Sequence, residues 1–329
     1  MTKMKAAVFE DIKKITYTED YPKPTPGPDD VILKVKYCAI CGSDISNFKY
    51  KMYQTPLIMG HEFSGEIVEV GENVNEYKVG DRAIGINVLQ EGGYGNIRGI
   101  GIFQDGGFAE YARIYKEDIF TIPDNVSYLE AAMIESFSVV HRAIKYSTIQ
   151  NQENVAIVGG GNIGLITLLL LKAYKDPNNI IVVEPYSFLR DKALEFGADD
   201  AFPPSKTKLR RHFKKEGSPD FVFECAGNEK AFKLTFDLVK KGGTIVLEGI
   251  QKGSISFPVF LINNKEITLK GSISHDKDDI LETIDLFAQK KVDPTQLITD
   301  TIELKDIQSS FESFLESKDR DFIKVVVKL

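Results

Sequence analysis

The chain of 329 residues carries 41 Lys and Arg against 48 Asp and Glu, a formal net charge of -7, and is 43% hydrophobic. That length leaves room for two domains with ample core, and the acidic balance argues against a general nucleic-acid binder or a membrane-surface protein. The longest apolar run, near Leu165 to Leu171, is too short to span a bilayer, and the opening MTKMKAAVFEDIKK has no apolar signal core, so no membrane partner and a cytoplasmic location are expected.

In chain order, the stretch from Met4 to about Pro123 holds the short runs MKAAVFE, DDVILKVKYCAI, HEFSGEIVEVG and GGFAEYARI, with the proline-rich segment Pro22 to Pro28 among the early ones. Such runs, bounded by turn residues, predict a β-rich, barrel-like region. Ser127 with Glu130 three residues on forms a capping box and predicts a helix through Ala131, Met133, Val139 and Ala143.

Residues 155–184, VAIVGGGNIGLITLLLLKAYKDPNNIIVVE, read as strand, glycine turn, apolar helix, turn and second strand. Gly159, Gly161 and Gly164 take the three glycine places of G-x-G-x-x-G. The first serves the tight turn, the second the approach of a pyrophosphate, and the third the packing of helix on strand. Asn162 and Ile163 stand between them, where free N–H groups at the helix start would meet the phosphates. Glu184 ends the second strand, at the place where an acid accepts hydrogen bonds from the ribose hydroxyls and repels the extra phosphate of NADP. NAD is therefore the expected cofactor.

Past Glu184, a helix near Leu189 to Phe196 stops at Gly197, and strands follow at Ala201-Phe202, Phe221 to Glu224, Thr244 to Glu248 and Glu266 to Lys270. With those starting at Val155 and Ile180 they make six strands separated mostly by helices, which predicts an α/β fold with a doubly wound parallel sheet. The basic cluster from Lys206 to Lys215 reads as a solvated helix face. The tail reads as a helix over ILETIDLFAQKK, a loop, a helix near Ile307 to Leu315 and a last strand, IKVVVKL.

Three cysteines suit a reducing compartment and give no disulfide framework. Cys38 and Cys225 lie in apolar runs, as small buried hydrophobes do. Cys41 sits on a turn after an apolar strand, in Cys41-Gly42-Ser43-Asp44, and Gly60-His61-Glu62 opens the next long strand. Thiolate, imidazole and carboxylate are the ligand types that zinc accepts. Each residue alone also has an ordinary reading, as a turn cysteine, a strand-end histidine and a surface glutamate.

At this point the sequence resembles the zinc-containing medium-chain dehydrogenase/reductase family, and within it the sorbitol dehydrogenase-like polyol and sugar dehydrogenases. The resemblance rests on ICGSD at Ile40 to Asp44, GHEFSGEIVEVG at Gly60 to Gly71, VGDRA at Val79 to Ala83, DGGFAEY at Asp105 to Tyr111, IES at Ile134 to Ser136, and the glycine turn. It implies a GroES-like catalytic domain (1–149 and 273–329) interrupted by a Rossmann domain (150–272). It also implies a catalytic zinc on Cys41, His61 and Glu62, with Glu135 as a fourth ligand that exchanges with water or substrate, and Ser43 passing the substrate proton outward. A small-molecule alcohol or sugar substrate and a homodimer or homotetramer follow from the same resemblance. An acid such as Glu135 amid Ala131, Met133, Ile134 and Phe137 needs a partner if buried.

The chain also departs from the family's pattern. It runs AIGINVLQEGGYGNIRGIGIFQDGG where many members carry four cysteines on a structural zinc, so only one zinc is expected. Ser46 stands where sorbitol dehydrogenases often have a histidine. Leu189 takes the place of an arginine that often flanks the adenosine ribose, with Arg190 one residue late. The loops Phe48 to Tyr53 and Gly85 to Ile102 are expected to line the substrate pocket. A zinc-free quinone or enoyl reductase of the same superfamily, or a non-catalytic dinucleotide-binding protein, is the alternative, and neither needs Cys41 or His61.

Overall fold

The computed structural model describes residues 2–88, 97–251, 253–257, 259–317 and 319–329. The chain forms two compact units: Met1–Glu135 with His275–Lys318 and Lys324–Leu329, and Ser136–Ser274 with Asp319–Ile323. The first unit opens with β1 (Lys3–Asp11), β2 (Lys14–Pro22), β3 (Asp30–Ala39), α1 (Gly42–Tyr50), β4 (Leu57–Ile58), β5 (Glu62–Val70), β6 (Arg82–Gly85), β7 (Tyr111–Tyr115), β8 (Ile119–Thr121) and α2 (Tyr128–Ala131). The helix α3 (Ile134–Ser147) then carries the chain into the second unit.

That second unit holds β9 (Asn154–Val158), α4 (Asn162–Tyr174), β10 (Asn179–Val183), α5 (Ser187–Glu195), β11 (Asp200–Phe202), α6 (Lys206–Glu216), β12 (Phe221–Glu224), α7 (Glu229–Leu238), β13 (Thr244–Leu247), α8 (Val259–Lys265) and β14 (Thr268–Gly271). The tail adds α9 (Lys277–Ala288), β15 (Ile298–Glu303), α10 (Ile307–Glu316) and β16 (Lys324–Lys328) to the first unit.

In the first unit a three-stranded sheet, β2-β1-β4, accompanies a larger sheet ordered β15-β16-β3-β5-β6-β8, with β7 also paired to β3. β3 is central because its apolar run leaves almost nothing for water: Val31, Ile32, Leu33 and Val35 are all buried. Phe311 from the tail packs edge-on to Phe48 at 5.1 Å and to Phe108 at 6.1 Å, so the last quarter of the chain closes the core begun by the first. Phe48, at the start of the expected Phe48 to Tyr53 pocket loop, is thus part of the core. Residues 89–96 of the other expected pocket loop lie outside the described residues.

The second unit is one six-stranded sheet ordered β11-β10-β9-β12-β13-β14, parallel throughout. Strand order reverses between β9 and β12, and a crevice at the carboxyl ends of such a pair is where this architecture takes ligands. α4 is buried from Gly164 to Leu171, as its nearly all-apolar sequence requires.

Some elements differ from the sequence reading. Cys41 begins a helix, α1, where a turn was expected. Gly42, Ser43, Asp44, Ser46 and Asn47 are poor helix formers, and a cap at the start decides the outcome. The single helix expected after Ser127 is two: the Ser127–Glu130 capping box is present, but α2 ends at Ala131 and α3 starts at Ile134. β14 begins at Thr268 because Glu266 sits at φ 54, left-handed backbone that no strand continues through. Domain limits were expected at 149/150 and 272/273. The second unit instead takes up the chain from Ser136, and Lys270 Nζ donates to the carbonyls of Tyr146 (2.8 Å) and Ser147 (3.2 Å), tying the end of α3 to β14.

Candidate metal centre and nucleotide pocket

The first unit brings Cys41, His61 and Glu62 together through strand pairing. β3 and β5 run antiparallel with Ala39 opposite Glu62, so the residues just past one strand meet those opening the other. The ligand atoms of the three side chains lie within 4.8 Å of one another. Ligands of a single tetrahedral zinc sit roughly 3.3–3.8 Å apart, given Zn–S and Zn–N lengths near 2.3 and 2.0 Å. The set therefore suits a zinc ion in both chemistry and spacing. It is also dry, with His61 and Glu62 buried and Cys41 half-buried.

The surroundings fix each donor. Cys41 N–H donates to Asp44 Oδ2 at 3.0 Å, closing the cap of α1. Asp44 Oδ1, fully buried, stands 3.5 Å from His61 Nδ1, on the other side of the ring from Nε2. Ser43 Oγ is 3.4 Å from that Nε2. Lys324 Nζ, at the start of β16, is 2.5 Å from Glu62 Oε2, and both side chains are buried. Glu62 Oε1 is buried with no hydrogen-bond partner among the described residues, an acceptor left open for a cation.

Charge compensation runs through the cluster. Burial works against a charged His61, yet Asp44 and Cys41 outweigh it and hold the ring's pKa well above its ordinary value. Burial likewise opposes the Lys324 charge, and Glu62 with Cys41 more than restores it. Glu135, in the first turn of α3, is pushed up to about 7 by burial and then by the Glu62 charge. Its carboxylate stands outside the 4.8 Å group, and His275 Nδ1 lies 3.9 Å from it.

Sequence reasoning missed Asp44, His275 and Lys324 as members of this cluster. Asp44 had a signal in the ICGSD string, three residues after Cys41 at the capping distance. Lys324 had a fainter one, a cation in an apolar strand whose neighbours Val325, Val326 and Val327 are all buried. His275 had none.

The second unit carries the glycine turn. Gly159 has φ 106, and a Cβ on Gly164 would come 1.9 Å from the Gly159 carbonyl oxygen, so neither place accepts a side chain. Gly161 caps α4 with open space beside it, and Asn162 and Ile163 follow as the first residues of the helix. A cavity of about 770 Å³ opens there, lined among others by Gly159, Gly161, Glu184, Tyr186, Cys225 and Arg320. Cys225 thus lies at a pocket wall, half-buried, because β12 ends one residue before it, whereas Cys38 is fully buried.

Glu184 accepts the Gly160 N–H at 2.7 Å on one oxygen and the Tyr186 N–H at 3.0 Å on the other, so the carboxylate is held rigidly at the pocket. Arg190 stands on α5, just past this turn. Its Nη1 donates to the carbonyls of Glu184 (2.8 Å) and Pro185 (2.6 Å), which braces the turn between β10 and α5. Leu189 is buried. Arg320 instead holds its guanidinium 5.8 Å from the centre of the Tyr186 ring.

A Cys–His–Glu donor cluster in a β-rich unit, with a parallel sheet and glycine turn in the other, defines the zinc alcohol dehydrogenase class. Family models agree: the Alcohol dehydrogenase GroES-like domain matches residues 27–124 and the Zinc-binding dehydrogenase model matches residues 162–289. A sorbitol dehydrogenase of Halalkalibacterium halodurans is 31% identical over 326 residues, covering 94% of each chain. A zinc-binding dehydrogenase of Sinorhizobium meliloti, solved with NADP, superposes with a TM-score of 0.91 at 28% identity over 100% of both chains. An alcohol dehydrogenase of Escherichia coli, solved with NADH, does so with a TM-score of 0.91 at 27% identity, also over 100% of both. The chain belongs to the zinc-containing medium-chain dehydrogenase/reductase family, among its polyol dehydrogenases, and is an oxidoreductase of alcohols. No helix among the described residues is long and apolar enough to cross a membrane.

Proposed function

We propose that this protein oxidises a secondary alcohol of a polyol or sugar, reversibly and with NAD, at one zinc held by Cys41, His61 and Glu62, with Glu135 as an exchangeable fourth carboxylate. The observation that carries the reading is the buried donor set within 4.8 Å, one of whose carboxylate oxygens is unpartnered. When bound, zinc supplies Lewis acidity toward the substrate oxygen and the nicotinamide supplies the hydride acceptor.

The chain's own residues do the rest. Asp44 orients His61 through Nδ1 and leaves Nε2 as the ligand atom. Ser43 Oγ, next to that atom, takes the hydroxyl proton of the alcohol and passes it outward, an acid–base contribution of roughly 10²–10⁴ in rate. Lys324 neutralises Glu62 in a dry site where an unpaired carboxylate would be costly. In the nucleotide pocket Glu184 keeps lone pairs for the ribose hydroxyls and repels a 2′-phosphate, which favours NAD. The three cysteines are free thiols, as a reducing, cytoplasmic setting keeps them.

The test is a panel of polyols and sugars with NAD and NADP, joined to elemental analysis. One zinc per chain, turnover that a chelator abolishes, and a higher kcat/KM with NAD are expected. Cys41→Ser should lose zinc and most activity while keeping its fold, because an open catalytic site contributes chemistry more than scaffold. Full activity in metal-free Cys41→Ser protein would sink the reading.

A further inference from the structure

At the place where the family resemblance leads one to expect an arginine stands the buried Leu189, while Arg190 gives its Nη1 to the carbonyls of Glu184 and Pro185. The pocket wall nevertheless carries an arginine from the far end of the sequence. Residues Asp319–Ile323 leave the first unit, to which both of their flanks belong, and join the second. Arg320 from this short excursion lines the cavity shared by the glycine turn and Glu184, with its guanidinium 5.8 Å from the Tyr186 ring centre. Its backbone sits at φ 41, unfavourable for a residue with a side chain, so surrounding structure holds it there. The same wall carries Lys206, paired with Asp237 at 2.6 Å, Lys233, paired with Glu229 at 2.6 Å, and Lys230, which like Arg320 is exposed; of these cations Arg320 is the one set beside the Tyr186 ring.

We infer that Arg320 is a cofactor-binding residue, reaching from the C-terminal tail to contact the adenosine moiety of the dinucleotide beside Tyr186 and replacing the arginine missing at Leu189. The inference rests on the nicotinamide-dinucleotide reading of the pocket. The chemistry suits it. A planar guanidinium stacks on an aromatic face and donates in a fixed fork to ribose or phosphate oxygens, which a lysine point charge does not reproduce. The site follows from the direction of the sheet: β10 and Glu184 mark the ribose side of the crevice, and Tyr186 stands two residues beyond Glu184.

Binding to the full-length, zinc-loaded protein tests this with two fragments of the cofactor, 5′-AMP and nicotinamide mononucleotide, measured by calorimetry and ligand-observed NMR. Arg320→Ala should weaken 5′-AMP and NAD by roughly three- to tenfold, the range of one cation–π or charge-assisted contact, and leave the mononucleotide unchanged. Arg320→Lys should recover only part of the loss. Equal 5′-AMP affinity in wild type and Arg320→Ala overturns the inference, as does equal weakening of both fragments, which would mark a general change in the pocket. Wild-type protein that binds neither 5′-AMP nor NAD would instead overturn the dinucleotide reading itself.

Discussion

Lys324 and Glu62 form a pair with almost no access to water, and such a pair has asymmetric energetics. Replacing both partners by apolar groups can be harmless, whereas removing one leaves a bare charge that costs about 3–5 kcal/mol. Lys324→Met should therefore lower the stability of chelator-treated protein by about that amount in urea melts, and Lys324→Arg should restore most of it. A Lys324→Met protein as stable as wild type would contradict this reading of the buried pair. Glu248 presents the opposite case. Burial pushes its carboxyl up to about 8, Glu224 adds to the rise, and the Thr167 hydroxyl at 3.3 Å only partly opposes it. Between an ordinary carboxyl pKa near 4.3 and that value, the folded chain keeps a proton the unfolded chain has lost, so stability falls as pH rises through the window, at about 1.4 kcal/mol per unit from this group. Glu248→Gln should gain on wild type as pH goes from 5 to 8 in thermal melts, and parallel curves for the two proteins would refute the assignment. The clustering of the candidate ligands was legible in the sequence because Cys41 falls inside one short motif and His61 with Glu62 inside another. Lys324 and His275 were not, because their contacts depend on the tail returning to a strand near the start.

Elements were legible where periodicity and glycine placement agree. The six parallel strands and α4 follow from apolar runs punctuated by turns, and packing only confirms them. α1 was not legible, since its residues favour turns, and its helix rests on the Asp44 cap and on burying Phe48 under Phe311. A different device holds the segment that reaches β6 from the far side of the undescribed residues. The buried Asn87 side chain accepts from the N–H groups of Gly99 (3.0 Å) and Ile100 (2.8 Å) and donates to the Ile100 carbonyl (3.0 Å), while Arg98 pairs with Asp118 at 3.0 Å. These polar ties stand in the region where many relatives of the resembling family use four cysteines and a metal. Asn87→Ala should cost about 2–4 kcal/mol, as three bonds go and buried main-chain groups lose partners. Calorimetric melts that show no loss would place the segment's anchorage elsewhere.

At the scale of the molecule, the second unit's sheet ends in β14 with one edge unpaired among the described strands. Leu269 on that strand and Ile273 just past it are exposed, as are Val259 and Phe260 on the preceding α8, and exposed apolar residues on an open strand are a combination that monomers usually avoid. We expect a homodimer or homotetramer, measured as mass by light scattering, and expect Leu269→Lys with Phe260→Lys to shift it toward monomer. A monomeric wild type at micromolar concentration would contradict this.

The pairing of β3 with β16 sets a timetable for synthesis. Cys41, His61 and Glu62 leave the ribosome well before the lysine that tempers Glu62, which arrives with β16 after β9 to β14 have been translated. Contacts so far apart in sequence form late, and N-terminal segments wait for them. A nascent chain thus displays its thiol, imidazole and carboxylate before the lysine that balances them is present. A chain cut short of β16 therefore keeps the Glu62 carboxylate without the lysine that offsets its charge.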